Sequence, residues 1–201
     1  MIGAMADRFL AHLPIGGAPE PFAGDGIPGW EIFPFEGDLR RKPLEAPVLP
    51  EPPRNGEDGP ADCFICRDPL GPAVWSDEHW LVRHLPEPSA VPVVLLLCPR
   101  GHHDLIDLPP ARAAEIGPML QRVERAVTGL GGIGRVHAQK IGDGASHLHL
   151  WVFARPAGLT QLRGSCLTVW DDILPRQPLP QWRAVLREVG AALAAEGGTA
   201  H

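Results

Sequence analysis

A chain of 201 residues with 44% hydrophobic content can bury one core with extensions, and a formal charge of −6 leaves no basic footprint for non-specific nucleic-acid binding. No apolar run approaches the roughly 18 residues of a membrane span. Asp7, Arg8 and His12 deny Met1–Leu13 the apolar middle of a signal peptide, so a cytoplasmic location is expected. Cys63, Cys66, Cys98 and Cys166 are then expected to be reduced unless a metal holds some of them.

Proline is concentrated in the first 60 residues. Within them Trp30-Glu31-Ile32-Phe33-Pro34-Phe35 is too apolar for a free tail and is expected to pack on the core with one short strand. Pro43 to Pro60 reads as an extended linker. Cys63-Phe64-Ile65-Cys66 follows. Two cysteines separated by two residues are half of a zinc site or a redox pair, and Asp68-Pro69-Leu70-Gly71-Pro72 breaks the helix a redox pair would open.

Ala73–Ser76, Trp80–His84 and Val91–Cys98 read as three short strands, the third apolar throughout and therefore buried on both faces. The third runs into Pro99-Arg100-Gly101-His102-His103, where His102 and His103 compete as a further ligand. Asp107 is the expected N-cap of a helix in which Ile116, Met119, Leu120, Val123, Val127 and Leu130 repeat at helical spacing, with Pro118 expected to kink or delay it. Gly129–Gly132 ends the helix, and Ile133–Ile141 is the next strand, entering a hairpin.

The second arm of that hairpin, Ser146-His147-Leu148-His149-Leu150-Trp151-Val152-Phe153, alternates strictly. It predicts a strand with His147, His149, Trp151 and Phe153 on one face and Leu148, Leu150 and Val152 in the core. Residues two apart on a strand are roughly 6.6 Å apart along the axis, so two imidazoles stand side by side on a rigid element. Gly142-Asp143-Gly144-Ala145 forms the loop before them. After Pro156 the chain is expected to run irregularly through Trp170-Asp171-Asp172 to a terminal amphipathic helix marked by Trp182, Val185, Leu186, Val189 and Leu193. Trp30, Phe33, Phe35, Trp170 and Trp182 are expected to serve packing.

Taken in order, Cys63-x-x-Cys66, a buried strand ending Pro99-Arg100-Gly101-His102, a helix, a hairpin and His147-x-His149-x-Trp151 resemble the zinc-bearing branch of the histidine triad (HIT) superfamily of nucleotide hydrolases and transferases. The resemblance covers roughly Asp62 to Pro156. It implies an α+β fold: an antiparallel sheet of about five strands with a packed helix, an irregular N-terminal arm and a C-terminal helix. The corresponding division is 1–60 for the arm and linker, 61–158 for the core and 159–201 for the extension.

The resemblance also implies roles. His149, the middle histidine, is the expected nucleophile toward the α-phosphorus of a nucleoside phosphoryl compound, forming a nucleotidyl-histidine that water or another acceptor resolves. A neutral imidazole suits this attack, and a backbone carbonyl suffices to hold its other nitrogen. Lys140, Gly144, Ser146 and Trp151 are expected to bind substrate, and Cys63, Cys66, His102 and His147 to hold a structural zinc ion. A nucleotide ligand and a homodimer are implied as partners, with no nucleic acid and no membrane. The sequence departs from the triad at its third position, where Trp151 replaces histidine; Lys140, Asp143 and Ser146 stand where many relatives have amide side chains. Trp151 shifts the expectation from simple hydrolysis toward transfer, and supports the alternative of a catalytically silent module that binds a nucleotide or a protein.

Overall fold

The computed structural model describes residues 8, 11–13, 35–36, 40–41, 50–160, 162 and 166–201. The apolar run of the third predicted strand becomes the centre of the sheet. This strand, β5 (Val93–Pro99), is buried along its whole length, and Pro92 falls just before it, where a missing N–H costs no ladder bond. It lies between β4 (Trp80–His84) and β7 (Leu150–Pro156). Outside these stand β3 (Ala73–Ser76) next to β4 and β6 (Ile133–Lys140) next to β7. A sixth strand, β8 (Thr199–Ala200), pairs with β3, so the order is β6-β7-β5-β4-β3-β8, antiparallel throughout.

The sheet thus has six strands rather than about five. Gly197 and Gly198, at φ +113° and +76°, turn the chain back after the last helix and deliver β8 to Trp75 and Ser76. Of the N-terminal arm, β1 (Phe35–Glu36) and β2 (Arg40–Arg41) form a two-stranded ladder. Trp30–Pro34, expected to pack on the core, lie outside the described residues.

One face of the sheet carries the main core. Val82, Leu95, Leu97, Leu148, Leu150 and Val152 meet Met119, Val123 and Val127 of α2 (Pro110–Gly129) and Trp182, Val185 and Val189 of α4 (Leu179–Ala194). Asp107 is not the cap of α2; Pro109 is, without a side-chain hydrogen bond, and Pro110 supplies a first helical position that needs no donor. The helix continues through Pro118, which is exposed, as is Ala114 four residues earlier, so the carbonyl left without a donor faces water. The terminal helix begins after Pro178, as its prolines indicated.

The opposite face carries two smaller clusters. Cys63, Ile65, Leu81, Leu96 and Cys98 gather under the single turn α1 (Phe64–Arg67). Val91, Val94, Phe153, Leu162 and Leu167 gather under α3 (Leu167–Ile173), a helix in a stretch expected to be irregular. The buried Asp171 carboxylate ties α3 down by accepting the Ala90 and Val91 N–H groups at 2.8 and 2.9 Å.

Candidate catalytic and metal site

The histidine pair stands just outside the sheet. The β5–β7 ladder ends at Leu97 opposite Leu150, and β6 ends at Lys140 opposite the same residue. Strand β7 therefore begins at Leu150, not Ser146. Pro99 has no N–H to extend the ladder, and its carbonyl is taken by His147 Nε2–H at 2.8 Å. The alternation nonetheless persists, with Leu148 in the main core and His149 on the same side as Trp151 and Phe153.

His147, fully buried, points its other nitrogen at a sulfur pair. Its Nδ1 is 3.4 Å from both Cys63 Sγ and Cys66 Sγ, and Cys66 Sγ is 3.4 Å from His102 Nδ1. One ligand atom from each of Cys63, Cys66, His102 and His147 lies within 4.8 Å of the others, a cluster that could hold a metal ion. Both imidazoles are oriented from behind by carbonyls, His147 by Pro99 and His102 by Gly56 at 3.0 Å. A carbonyl only accepts, so each Nε2 carries the proton and each Nδ1 presents a lone pair to the cluster. His103 is not part of it; its imidazole lies 3.8 Å from Asp107, and its backbone carbonyl receives the Leu148 N–H.

Burial governs the titration of these groups. It pushes the Cys66 thiol up to about 11, with the neighbouring Cys63 adding to the effect. It lowers His147 to about 4, against the Pro99 carbonyl and with help from His102, Arg83 and His149. Cys98, completely buried beside the cluster, is pushed up to about 12. Arg83, buried under α1, donates to the Ile65 and Pro69 carbonyls at 3.3 Å and fastens the cysteine turn to β4.

His149 has the same logic with the nitrogens exchanged. Its Nδ1–H donates to the His147 carbonyl at 2.8 Å, so Nε2 holds the lone pair. Trp151 meets it edge-on with ring centres 6.2 Å apart, and stacks on Phe153 at 5.6 Å and 9° between planes. The buried Trp151 Nε1–H has no hydrogen-bond partner among the described residues.

The other expected substrate residues are already engaged with protein partners. Lys140 Nζ lies 3.2 Å from Asp104. The Gly144 carbonyl accepts from Asn55 N–H, and the Ser146 hydroxyl donates to the Asn55 carbonyl at 3.3 Å. Sequence reasoning missed the partners. Residues 54–60, read as the end of a linker, form a turn that seats Arg54, Asn55 and Gly56 against the site because their polar groups find partners on two loops there. Arg54 binds Glu57 through Nε and Nη2, and its Nη1 reaches Asp104 at 2.9 Å and the Gly142 carbonyl at 3.2 Å. Burial works to raise the Asp104 carboxyl, but hydrogen bonds from Arg54, Leu105 N–H and Lys140 outweigh it and hold the group below the usual carboxylate range. The one signal for this turn was Asn55-Gly56, a turn dipeptide a few residues before the cysteines.

The structure is similar to solved histidine triad proteins. A histidine triad protein from Bradyrhizobium japonicum is 18% identical over 60% of this chain and 89% of its own, with a TM-score of 0.49. A zinc-bound histidine triad family protein from Mycobacterium smegmatis is 23% identical over 69% of this chain and 97% of its own, at 0.47. A histidine triad protein from Marinobacter aquaeolei is 18% identical over 61% and 88%, at 0.48. No protein-family model and no curated protein matches the chain.

Proposed function

We infer that the chain is a nucleotidyl hydrolase or transferase acting through His149. The observation that carries this reading is the His149 Nδ1–H bond to the His147 carbonyl, which in the neutral ring puts the lone pair on Nε2 without a carboxylate partner. In the reaction Nε2 attacks the α-phosphorus, the bond to the leaving group breaks, and water or another acceptor then displaces His149 and carries off the nucleotidyl group. Lys140, expected from the resemblance to bind substrate, is held by Asp104 at 3.2 Å and would have to leave it to meet phosphoryl oxygens. Trp151 would stand beside His149 as an aromatic wall that excludes water, and unlike a third histidine it cannot deliver a proton.

Cys63, Cys66, His102 and His147 would hold a structural zinc ion. For Zn–S of about 2.3 Å and Zn–N of about 2.0–2.1 Å a tetrahedron has S···N edges of about 3.6 Å, close to the 3.4 Å separations found. The two lone pairs converge on the sulfurs, and the outer N–H groups are satisfied, which fits this ion. Its role would be to pin the cysteine turn to the His147–His149 segment.

Phosphorus NMR of adenosine phosphoramidate, adenosine phosphosulfate and diadenosine polyphosphates tests the reading. Wild type should release or transfer the nucleotidyl group and His149→Ala should not. Nucleotide binding without turnover by either protein would favour the silent-module reading, to which Trp151 in the third position lends its support. No helix among the described residues is long and apolar enough to cross a membrane. A soluble cytoplasmic protein and a homodimer, using the outer edge of β6 and α2, complete the proposal.

A further inference from the structure

Asn55 lies outside the Cys63-x-x-Cys66 and His147-x-His149 motifs, yet it joins the two halves of the site. Its side chain reaches the cysteine turn: Nδ2 donates to the Asp62 carbonyl at 2.8 Å, and Oδ1 accepts the Phe64 N–H at 3.0 Å. Its backbone brackets the glycine loop, with Asn55 N–H donating to the Gly144 carbonyl at 3.1 Å and Ser146 N–H donating to the Asn55 carbonyl at 3.0 Å. The result is an isolated parallel bridge between Asn55 and Ala145. Arg54 binds the Gly142 carbonyl and Gly56 the outer N–H of His102, so three consecutive residues touch the glycine loop, the cysteine turn and a candidate ligand.

Ala145 is buried, and only the Ser146–Leu148 backbone separates it from His149. A shift of the loop would carry the nucleophile with it. We propose that Asn55 is a positioning residue for His149: its side chain anchors it to the cysteine turn, and its backbone uses that anchor to set the height of the Gly144–Ser146 loop. The kinetic side of this proposal rests on the reading of His149 as nucleophile; the structural side does not. The side chain takes no part in the reaction and contacts no candidate ligand atom, so its removal should leave metal content intact.

The test combines hydrogen exchange, zinc analysis and kinetics on Asn55→Ala and Asn55→Asp, the latter retaining the acceptor for Phe64 N–H. In Asn55→Ala the Ser146 amide should exchange about tenfold faster, while β5 amides keep parental rates. Zinc per chain should equal the parent's. With adenosine phosphoramidate, kcat should fall about tenfold with little change in KM, and Asn55→Asp should recover part of both effects. Parental exchange at Ser146, or faster exchange spread equally through β5, overturns the proposal. So does faster local exchange with unchanged kcat. If the parent itself does not turn over, the reading of His149 fails, and the exchange data still decide whether Asn55 holds the loop.

Discussion

Gly56→Ala is the sharpest probe of the candidate metal centre, because the three atoms nearest the added carbon all belong to Cys63 and His102. Gly56 sits at φ +75°, and a Cβ built there would lie 2.9 Å from both Cys63 Cβ and His102 Cε1. An alanine in the left-handed region costs about 1 kcal/mol. These two contacts must open by about 0.5 Å to reach the 3.4 Å of an ordinary contact, and the Cys63 Cα, at 3.3 Å, must give slightly as well. Overpacking of this kind costs about 2 kcal/mol. A metal-free cluster can relax by letting Cys63 and His102 part; a loaded one cannot, so most of the overpacking cost falls on the loaded state. Zinc affinity should drop about thirty-fold, at 1.4 kcal/mol per factor of ten. Competition with a chromophoric chelator measures this directly. Gly59→Ala is the matched control, with φ +128° and nothing within 4 Å of the added carbon. It should lower the melting temperature with and without metal and leave zinc affinity alone. Equal weakening in both variants, or parental affinity in Gly56→Ala, would refute the placement of Gly56 against the ligands.

Cys63→Ala should abolish stoichiometric zinc and destabilise the protein by several kcal/mol, whereas Cys98→Ala, a neighbour outside the cluster, should keep its zinc; metal analysis and thermal melts compare them. Burial holds His147 near 4 in the folded state against an ordinary value of 6.5. The unfolded chain therefore binds the extra proton first, and the stability of the metal-free protein should fall as pH drops from about 6.5 toward 4. Urea midpoints across that window should show the slope, and His147→Phe should flatten it; an unchanged slope assigns it to another group. His149→Ala should reduce turnover by at least about 10³-fold while shifting the melting temperature only slightly, since the lost bond is to a local carbonyl. A turnover assay beside a melt checks both halves.

Much of the candidate site was legible because its chemistry is carried by residue types with few bland uses. Cys63-x-x-Cys66, His102 after a buried strand and His147-x-His149 could be read as candidate ligands and a candidate nucleophile from spacing and resemblance, and the structure brings the four candidate ligands together. Continuous burial marked β5, and helical spacing marked the buried face of α2. These are local properties: a side-chain period or a ligand pair is written within a few residues, whatever surrounds it.

Elements held by distant partners were not legible. Strand β8 has no apolar period and exists because β3 offers an edge to it. Helix α3 is short, and its Asp171 finds its partners at Ala90 and Val91, some 80 residues away. The start of β7 at Leu150 depends on where two neighbouring strands stop, which alternation within His147–Phe153 cannot register. Arg54 and Asn55 looked like linker because a polar side chain in a proline-rich stretch is usually solvated; only the folded chain supplies Gly142, Gly144, Asp62 and Asp104 as partners. Period and ligand chemistry were thus determined by the sequence alone, while tertiary structure decided strand ends, edge pairing and the clamp on the glycine loop, since a backbone hydrogen bond needs a partner whose position no local pattern encodes.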